Sequence, residues 1–461
     1  MFLTEETVAL DREALVDDAG TRVTYGELKE DCLRWEDAIG SRNMILLLAD
    51  RSIETVRFYY AMMGSKNVPL IIDKNSNIEF IRGYCDNYKP QYIWMDRKQR
   101  ELLQGAAVYE TDDHMLVKTE FDRYPMHEEL AVLLTTSGST GNSKIVRLSY
   151  RNLLENAIAS VEALHSVPGQ KSILALPLHY SYGMAICNFN FLQGNTVLIT
   201  EKPVFSPDFE RFLREEKVTI LHGVPYIYEM LERIGFFTRL PGSICVMTMG
   251  GSKVNIDLYE KIRSLAKEHE AELLMFYGQT EGTALLTKWP ERTRDVGLGC
   301  VGVACRGMSA YLDPEDSELC FTGSSVSMGY AGGWQDLARG DDNQGVLHTG
   351  DIARIDEEGY IYLLGRKKRF LKLLGIRTNM DDIEDFIEKR YGSKCACIGD
   401  DHHLVLYIAG EHEEKEIIRQ VYTRYHISAR QIYVYFVGEI PMNSSGKKDY
   451  PSLQRDFDRR C

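Results

Sequence analysis

The stretch Thr135-Thr136-Ser137-Gly138-Ser139-Thr140-Gly141-Asn142-Ser143-Lys144 constrains this chain more than any other. It follows the apolar run Leu130-Ala131-Val132-Leu133-Leu134, which reads as a buried strand. Little side-chain bulk follows that strand, so the chain can turn tightly there. A turn of this composition directs successive backbone N–H groups into one concavity. The hydroxyls of Thr136, Ser137, Ser139 and Thr140 add donors and Lys144 adds a charge, so the guest that suits such a loop is a polyphosphate. A Walker A loop is excluded by residue order. Its lysine is followed by Ser or Thr, whereas here Ser143 precedes Lys144 and Ile145 follows it.

The surrounding pattern predicts an α/β fold. Strand-like runs at residues 172–176, 196–199, 218–221, 244–248 and 272–276 alternate with amphipathic helical stretches such as 151–164 and 258–268. Such alternation argues for parallel-rich sheets covered by helices, with ligands at the carboxyl ends of the strands. The pattern changes near Gly365. Beyond it come a basic stretch, a helix at 380–390, an apolar strand at 404–408, a helix at 414–425 and a terminal strand. The expected division is a large N-terminal domain over residues 1–364 and a small α+β domain over 365–461, with 461 residues too many for one core.

Composition narrows the function classes. A net charge of −14 disfavours nonspecific nucleic-acid binding. No apolar run reaches the length of a membrane span, and no signal peptide is apparent at the N-terminus. Ten scattered cysteines suit reduced thiols, so a cytoplasmic location is expected. Neither Cys395-Ala396-Cys397 nor His402-His403 has the spacing of a structural zinc site. The cluster Arg366-Lys367-Lys368-Arg369, with Lys372 and Arg377, reads either as a solvated face or as a contact for phosphates or an acidic partner.

Further motifs follow the predicted strands. Tyr277-Gly278-Gln279-Thr280-Glu281 offers a ring to stack on a purine, a hydroxyl for a phosphate and a carboxylate for Mg²⁺. Gly250-Gly251-Ser252 lets the backbone approach a ligand closely. His348-Thr349-Gly350-Asp351 sets a carboxylate after a glycine turn, and Gly365-Arg366-Lys367-Lys368 follows it. Near the C-terminus stands Pro441-Met442-Asn443-Ser444-Ser445-Gly446-Lys447-Lys448-Asp449.

Taken in order, these motifs resemble those of the adenylate-forming superfamily, which includes acyl-CoA synthetases, peptide-synthetase adenylation domains and luciferases. The phosphate loop departs from that pattern at Ser143, usually proline, and Ile145, usually glycine; Tyr450 stands where arginine is common. Weaker echoes lie at Thr24-Tyr25-Gly26-Glu27-Leu28 and Asn67-Val68-Pro69-Leu70, and the early position of the loop implies an abbreviated N-terminal region. The resemblance implies ATP and Mg²⁺ as cofactors, and acyl-AMP formation followed by transfer to a phosphopantetheine thiol. By that resemblance the loop, including Gly138, Gly141 and Lys144, holds the β- and γ-phosphates. Gly250, Gly251 and Tyr277 lie against the adenine, Gly278 and Gln279 belong to the same cofactor-binding turn, Thr280 meets the α-phosphate and Glu281 ligates the metal. Asp351 and Arg366 bind the ribose, Lys447 bridges carboxylate and phosphate, and Lys368 is the hinge between domains.

The acid partner is less specified. Pro177-Leu178-His179-Tyr180-Ser181-Tyr182-Gly183 resembles the motif that lines the acyl pocket, which marks His179, Tyr180 and Gly183 as pocket candidates. The acyl-CoA branch usually has histidine where Tyr180 stands. Amino-acid-activating relatives carry an aspartate in this region to pair the amine, and none appears here. The expected substrate is therefore a non-amino carboxylic acid, with CoA or an acyl or peptidyl carrier protein as acceptor. A nucleotide-binding scaffold without chemistry is the alternative of another class.

Overall fold

The computed structural model describes residues 8–102, 105–136, 145–252, 256–289, 299–373, 376–400, 402–443 and 447–460. These fall into two compact units. One runs through Thr136, resumes as far as Ala310 and takes in Phe321–Leu347; the other holds Tyr311–Cys320 and the chain from His348 onward.

The larger unit is built on two sheets. In the first, the strands Glu272–Phe276, Val246–Gly250, Ile220–Gly223, Lys171–Leu174, Thr196–Ile199, Glu13–Asp17 and Arg22–Thr24 lie in that order. All pairings are parallel except the last, which closes a hairpin. The second sheet has eight strands, with Leu130–Thr135, Val68–Asp73, Met44–Ala49 and Tyr92–Asp96 parallel at its centre. Its strand Met44–Ala49 is buried along its whole length, as a parallel strand covered on both faces must be.

Local chemistry starts the helices. Thr24 and Glu27 form a reciprocal cap on the helix Tyr25–Ile39, so the first upstream echo is a helix start. Ser149 and Asn152 do the same for Tyr150–Ala163. Pro207 and Pro225 open their helices where a missing N–H is harmless.

The smaller unit carries a three-stranded sheet, Cys395–Gly399, Leu404–Ala409 and Ile432–Val437, with helices Met380–Tyr391, Glu414–Tyr425 and Tyr450–Arg460. Cys395 and Cys397 are fully buried in its apolar core beside Ile383, Leu406 and Ile417. Among the described residues, no helix is long and apolar enough to cross a membrane.

Candidate active site

Four neighbouring parallel strands, Lys171–Leu174, Ile220–Gly223, Val246–Gly250 and Glu272–Phe276, end side by side. Their register pairs Gly250 with Phe276 and His222 with Thr248. The loops that follow therefore gather at one sheet edge, the usual ligand position in such folds.

A cavity opens at this edge, and Tyr180, Tyr182, Phe189, His222, Gly251 and Tyr277 are among the residues lining it. Gly250 and Gly278 line it too, whereas His179 and Gly183 are not among its described lining residues. Gly183 serves packing: a Cβ there would lie 2.1 Å from the carbonyl oxygen of Pro177. His179 is largely buried and its pKa is lowered by that burial, with Asp73 opposing; its Nδ1 has no hydrogen-bond partner among the described residues.

Two glycines are dictated by geometry. Gly251 has φ +87°, and a Cβ would meet the Tyr180 hydroxyl at 2.3 Å. At Gly278 a Cβ would fall 1.5 Å from the carbonyl oxygen of Ala284. The turn after Phe276 is thus packed directly on the returning chain, and Leu286 and Thr287 donate their N–H groups to the Tyr277 carbonyl. The Tyr277 ring stacks on Phe321 with centroids 6.4 Å apart.

Thr280 and Glu281 lie in a short 3₁₀ turn, and the Thr280 hydroxyl is 3.4 Å from Ser181 Oγ. Tyr330 Oη donates to Glu281 Oε1 at 2.7 Å. Sequence reasoning missed Tyr330; its only signal was an aromatic residue following Gly329 in a glycine-rich segment. The backbone carbonyl of Glu281 also accepts from the N–H of Ser327. This donor set fits the expected cofactors. A half-buried carboxylate is the hard oxygen ligand that Mg²⁺ takes together with substrate phosphates. Gln279 Nε2 is a buried donor with no partner among the described residues, as suits a residue that meets an acceptor on a bound nucleotide.

Thr136 is described at the end of its strand, but Ser137, Gly138, Ser139, Thr140, Gly141 and Lys144 lie outside the described residues. The strands on either side, Leu130–Thr135 and Ile145–Ser149, pair antiparallel with Thr135 opposite Ile145.

In the smaller unit, Asp351 and Arg366 face each other as register partners of the antiparallel pair Val346–Ile355 and Ile361–Arg366. Arg366 Nε is 2.9 Å from Asp351 Oδ1, and the Asp351 side chain is buried. Gly350 donates its N–H to Glu318, which fixes the turn before Asp351. Lys368 lies in the 3₁₀ turn Lys367–Arg369, and its side chain is outside the description.

Of the basic cluster, Lys367 and Arg369 are paired within their own unit, while the side chains of Lys372 and Arg377 lie outside the description. Lys367 bridges Asp316 and Glu318, and Arg369 pairs with Asp381 and Glu384 while its guanidinium lies 4.2 Å over the Tyr450 ring. Arg369 therefore belongs to a buried ion cluster, and the reading of it as a solvated or partner-binding face is corrected. Lys448 joins the same cluster, with Nζ 2.6 Å from Glu384 and 3.0 Å from Glu388. Burial disfavours its charge, yet the two glutamates outweigh that and raise its pKa. The neighbouring Lys447 is only half-buried, and its backbone is pinned by Asn443, whose side chain accepts the Lys447 N–H at 2.9 Å.

The model of the AMP-binding enzyme family matches residues 4–331, and the chain belongs to that family. A long-chain-fatty-acid–CoA ligase of Escherichia coli O6:H1 is 31% identical over 345 residues, covering 71% of this chain and 58% of the ligase. 4-Coumarate–CoA ligase 2 of Petroselinum crispum is 24% identical over 413 residues, 82% of this chain and 74% of that protein. The chain spans 58–63% of the length of the fatty-acid ligases of Escherichia coli and Salmonella that it matches. In fold it resembles ATP-bound MatB from Rhodopseudomonas palustris, with a TM-score of 0.81 at 21% identity over 98% of this chain and 97% of that one. It also resembles the O-succinylbenzoate CoA synthetase of Bacillus subtilis in complex with ATP and magnesium ion, with a TM-score of 0.76 at 18% identity over 96% and 97% of the two chains.

Proposed function

We propose that this chain activates a non-amino carboxylic acid with ATP and passes the acyl group to a phosphopantetheine thiol, as an AMP-forming acid–CoA ligase. A carboxylate oxygen attacks the α-phosphorus, the bond to the pyrophosphate oxygen breaks, and acyl-AMP and pyrophosphate form. A thiolate then attacks the acyl carbon and AMP leaves. Both reactants of the first step are anions, so its barrier is mainly electrostatic.

The observation that most supports this reading is that Gly250, Gly251, Tyr277 and Gly278 line the apolar cavity itself. The turns that suit a nucleotide and the space that suits an acyl tail are one edge of one sheet. In the proposal Tyr277 packs on the adenine, Gln279 meets a nucleotide acceptor and Thr280 meets the α-phosphate. Mg²⁺, held at Glu281, supplies charge neutralisation of the phosphates. Tyr330 orients that carboxylate. Asp351 and Arg366 hold the ribose, Thr136 with the loop after it and Lys144 hold the β- and γ-phosphates, and Lys447 offsets the charge that builds between the two anions. The residues 366–369, with Lys368 as pivot, form the hinge between residues 1–364 and 365–461. The names of the curated relatives favour CoA over a carrier protein as acceptor.

ATP–pyrophosphate exchange across a panel of acids tests the first step, and thioester formation with CoA against a phosphopantetheinylated carrier tests the second. Exchange that depends on an added acid is expected. ATP binding without exchange on any acid would leave only a nucleotide-binding scaffold.

A further inference from the structure

The floor of the cavity carries a buried polar relay whose proton order can be derived. Asn190 uses its Nδ2 on the Ile186 carbonyl at 2.7 Å, so its Oδ1 faces Ser172 and accepts that hydroxyl at 3.0 Å. The Ser172 oxygen is then an acceptor, and His222 Nε2, 3.4 Å away, carries the hydrogen. Burial lowers the pKa of His222 to about 3. Its Nδ1 is therefore an acceptor, and takes the Thr248 hydroxyl at 2.7 Å. Thr248 Oγ1, with its hydrogen used, accepts that of Tyr182 Oη at 2.5 Å. Every hydrogen in the relay is directed down into the fold. Tyr182, which lines the cavity, is left with oxygen lone pairs only.

No Lys, Arg, Asp or Glu is among the described residues lining this cavity. We propose that the acyl group taken here is uncharged with an apolar body, and that the relay from Tyr182 through Thr248 to His222 is the specificity determinant that turns away a second carboxylate. The inference rests on the acid-activating reading above and names its substrate class. A distal carboxylate that reaches Tyr182 would lose its water and meet lone pairs there, with no cation among the described lining residues to replace that water. An alkyl or aryl end loses nothing by entering, and a hydroxyl can donate to Tyr182.

The test compares hexanoate with adipate and benzoate with terephthalate, using the full chain. Pyrophosphate exchange reports activation, and calorimetry in the presence of AMP reports binding. Each monoacid is expected to exceed its diacid by about 100-fold in kcat/KM and to bind preferentially. Equal use or equal binding of a diacid overturns the inference, as does failure of all four acids to bind. Preferential binding of the monoacids without any exchange would sustain the inference and sink the acid-activating reading, so the two failures are distinguishable. Thr248→Val, which leaves the Tyr182 hydroxyl free to donate to a ligand, is expected to shrink the monoacid preference about tenfold, whereas Thr248→Ser retains it. Thr248→Ala, which likewise frees the Tyr182 hydroxyl to donate to a ligand, shrinks the preference as well, which keeps the relay testable should Thr248→Val fail to fold. An unchanged preference in a folded variant of either kind overturns the role of the relay.

Discussion

Tyr330 donates its hydroxyl to Glu281 across 2.7 Å, joining two residues 49 positions apart in sequence. The phenol sits on the short strand Tyr330–Ala331, which pairs with Ile145–Ser149 at the edge of the eight-stranded sheet. One carboxylate oxygen is thereby fixed in direction. If Glu281 holds the metal, Tyr330→Phe leaves the fold intact but lets the carboxylate swing. The Mg²⁺ concentration for half-maximal pyrophosphate exchange should rise about tenfold, as is typical when a group that orients a metal ligand is lost. An unchanged Mg²⁺ requirement would mean that this hydrogen bond only closes the strand edge.

The segment bearing Tyr330 is itself held by Arg147. This guanidinium is fully buried, and donates to the carbonyls of Met328, Asp336, Arg339 and Gly340 and to the Asp342 carboxylate. Arg147→Met would remove the donor that those acceptors share. A loss of about 3 kcal/mol is expected, read as a shift in the denaturant midpoint. Arg147→Lys should recover little of it, because an ammonium cannot span so many acceptors in one plane.

How far these relationships could be read from sequence depends on whether they are local. The strands Glu272–Phe276 and Thr196–Ile199 stand where their apolar runs predict them. The expected strand at 218–221 is observed at Ile220–Gly223, because pairing with Ser172 and Val246 sets its start. That shift of two residues brings His222 into register with Thr248 and creates the relay. Cys395–Gly399 escaped notice because small residues hide a strand that burial on both sides makes obvious. The final helix, Tyr450–Arg460, buries only Leu453 and Phe457, too few to mark a period. Tyr277, Thr280 and Glu281 stood out as candidates because such chemistry is unusual just after a strand, and Asp351 because a carboxylate follows a Thr-Gly pair. Tyr330 and His222 were not, since their partners lie 49 and 26 positions away in sequence.

Adjacent lysines give a clean separation of chemistry from stability. Lys448 is enclosed by Glu384, Glu388 and the Cys395 carbonyl, so Lys448→Ala leaves two carboxylates to the single cation of Arg369 and should lower the thermal midpoint of the C-terminal unit. Lys447→Ala should leave that midpoint in place and reduce acyl-AMP formation by about 10²–10³, with ATP binding retained. Measuring both quantities on both variants decides the matter. A Lys447→Ala protein that forms acyl-AMP normally would remove the lysine from the mechanism.

The pH dependence of stability has an identifiable source in His114. Its Nε2 lies 2.9 Å from Asp50 Oδ2 and its Nδ1 contacts Glu54, while Lys74 reaches Asp50 at 3.0 Å. Burial alone would lower the imidazole pKa, but hydrogen bonds to Asp50 and Glu54 outweigh it and raise the value to about 9. The folded value exceeds the ordinary one of about 6.5, so the imidazolium's contribution is complete below that pH and is lost as pH rises through about 9. For Asp50, burial raises the pKa but His114 and the Ser52 and Thr55 hydroxyls lower it further. Its contribution is present above about pH 4 and is lost below that. The denaturation midpoint should therefore fall between pH 6.5 and 9.5. His114→Gln, which replaces the titrating ring with a neutral amide, should be less stable at pH 6.5 and show a flatter alkaline limb. The same alkaline slope in wild type and variant would assign it to other groups.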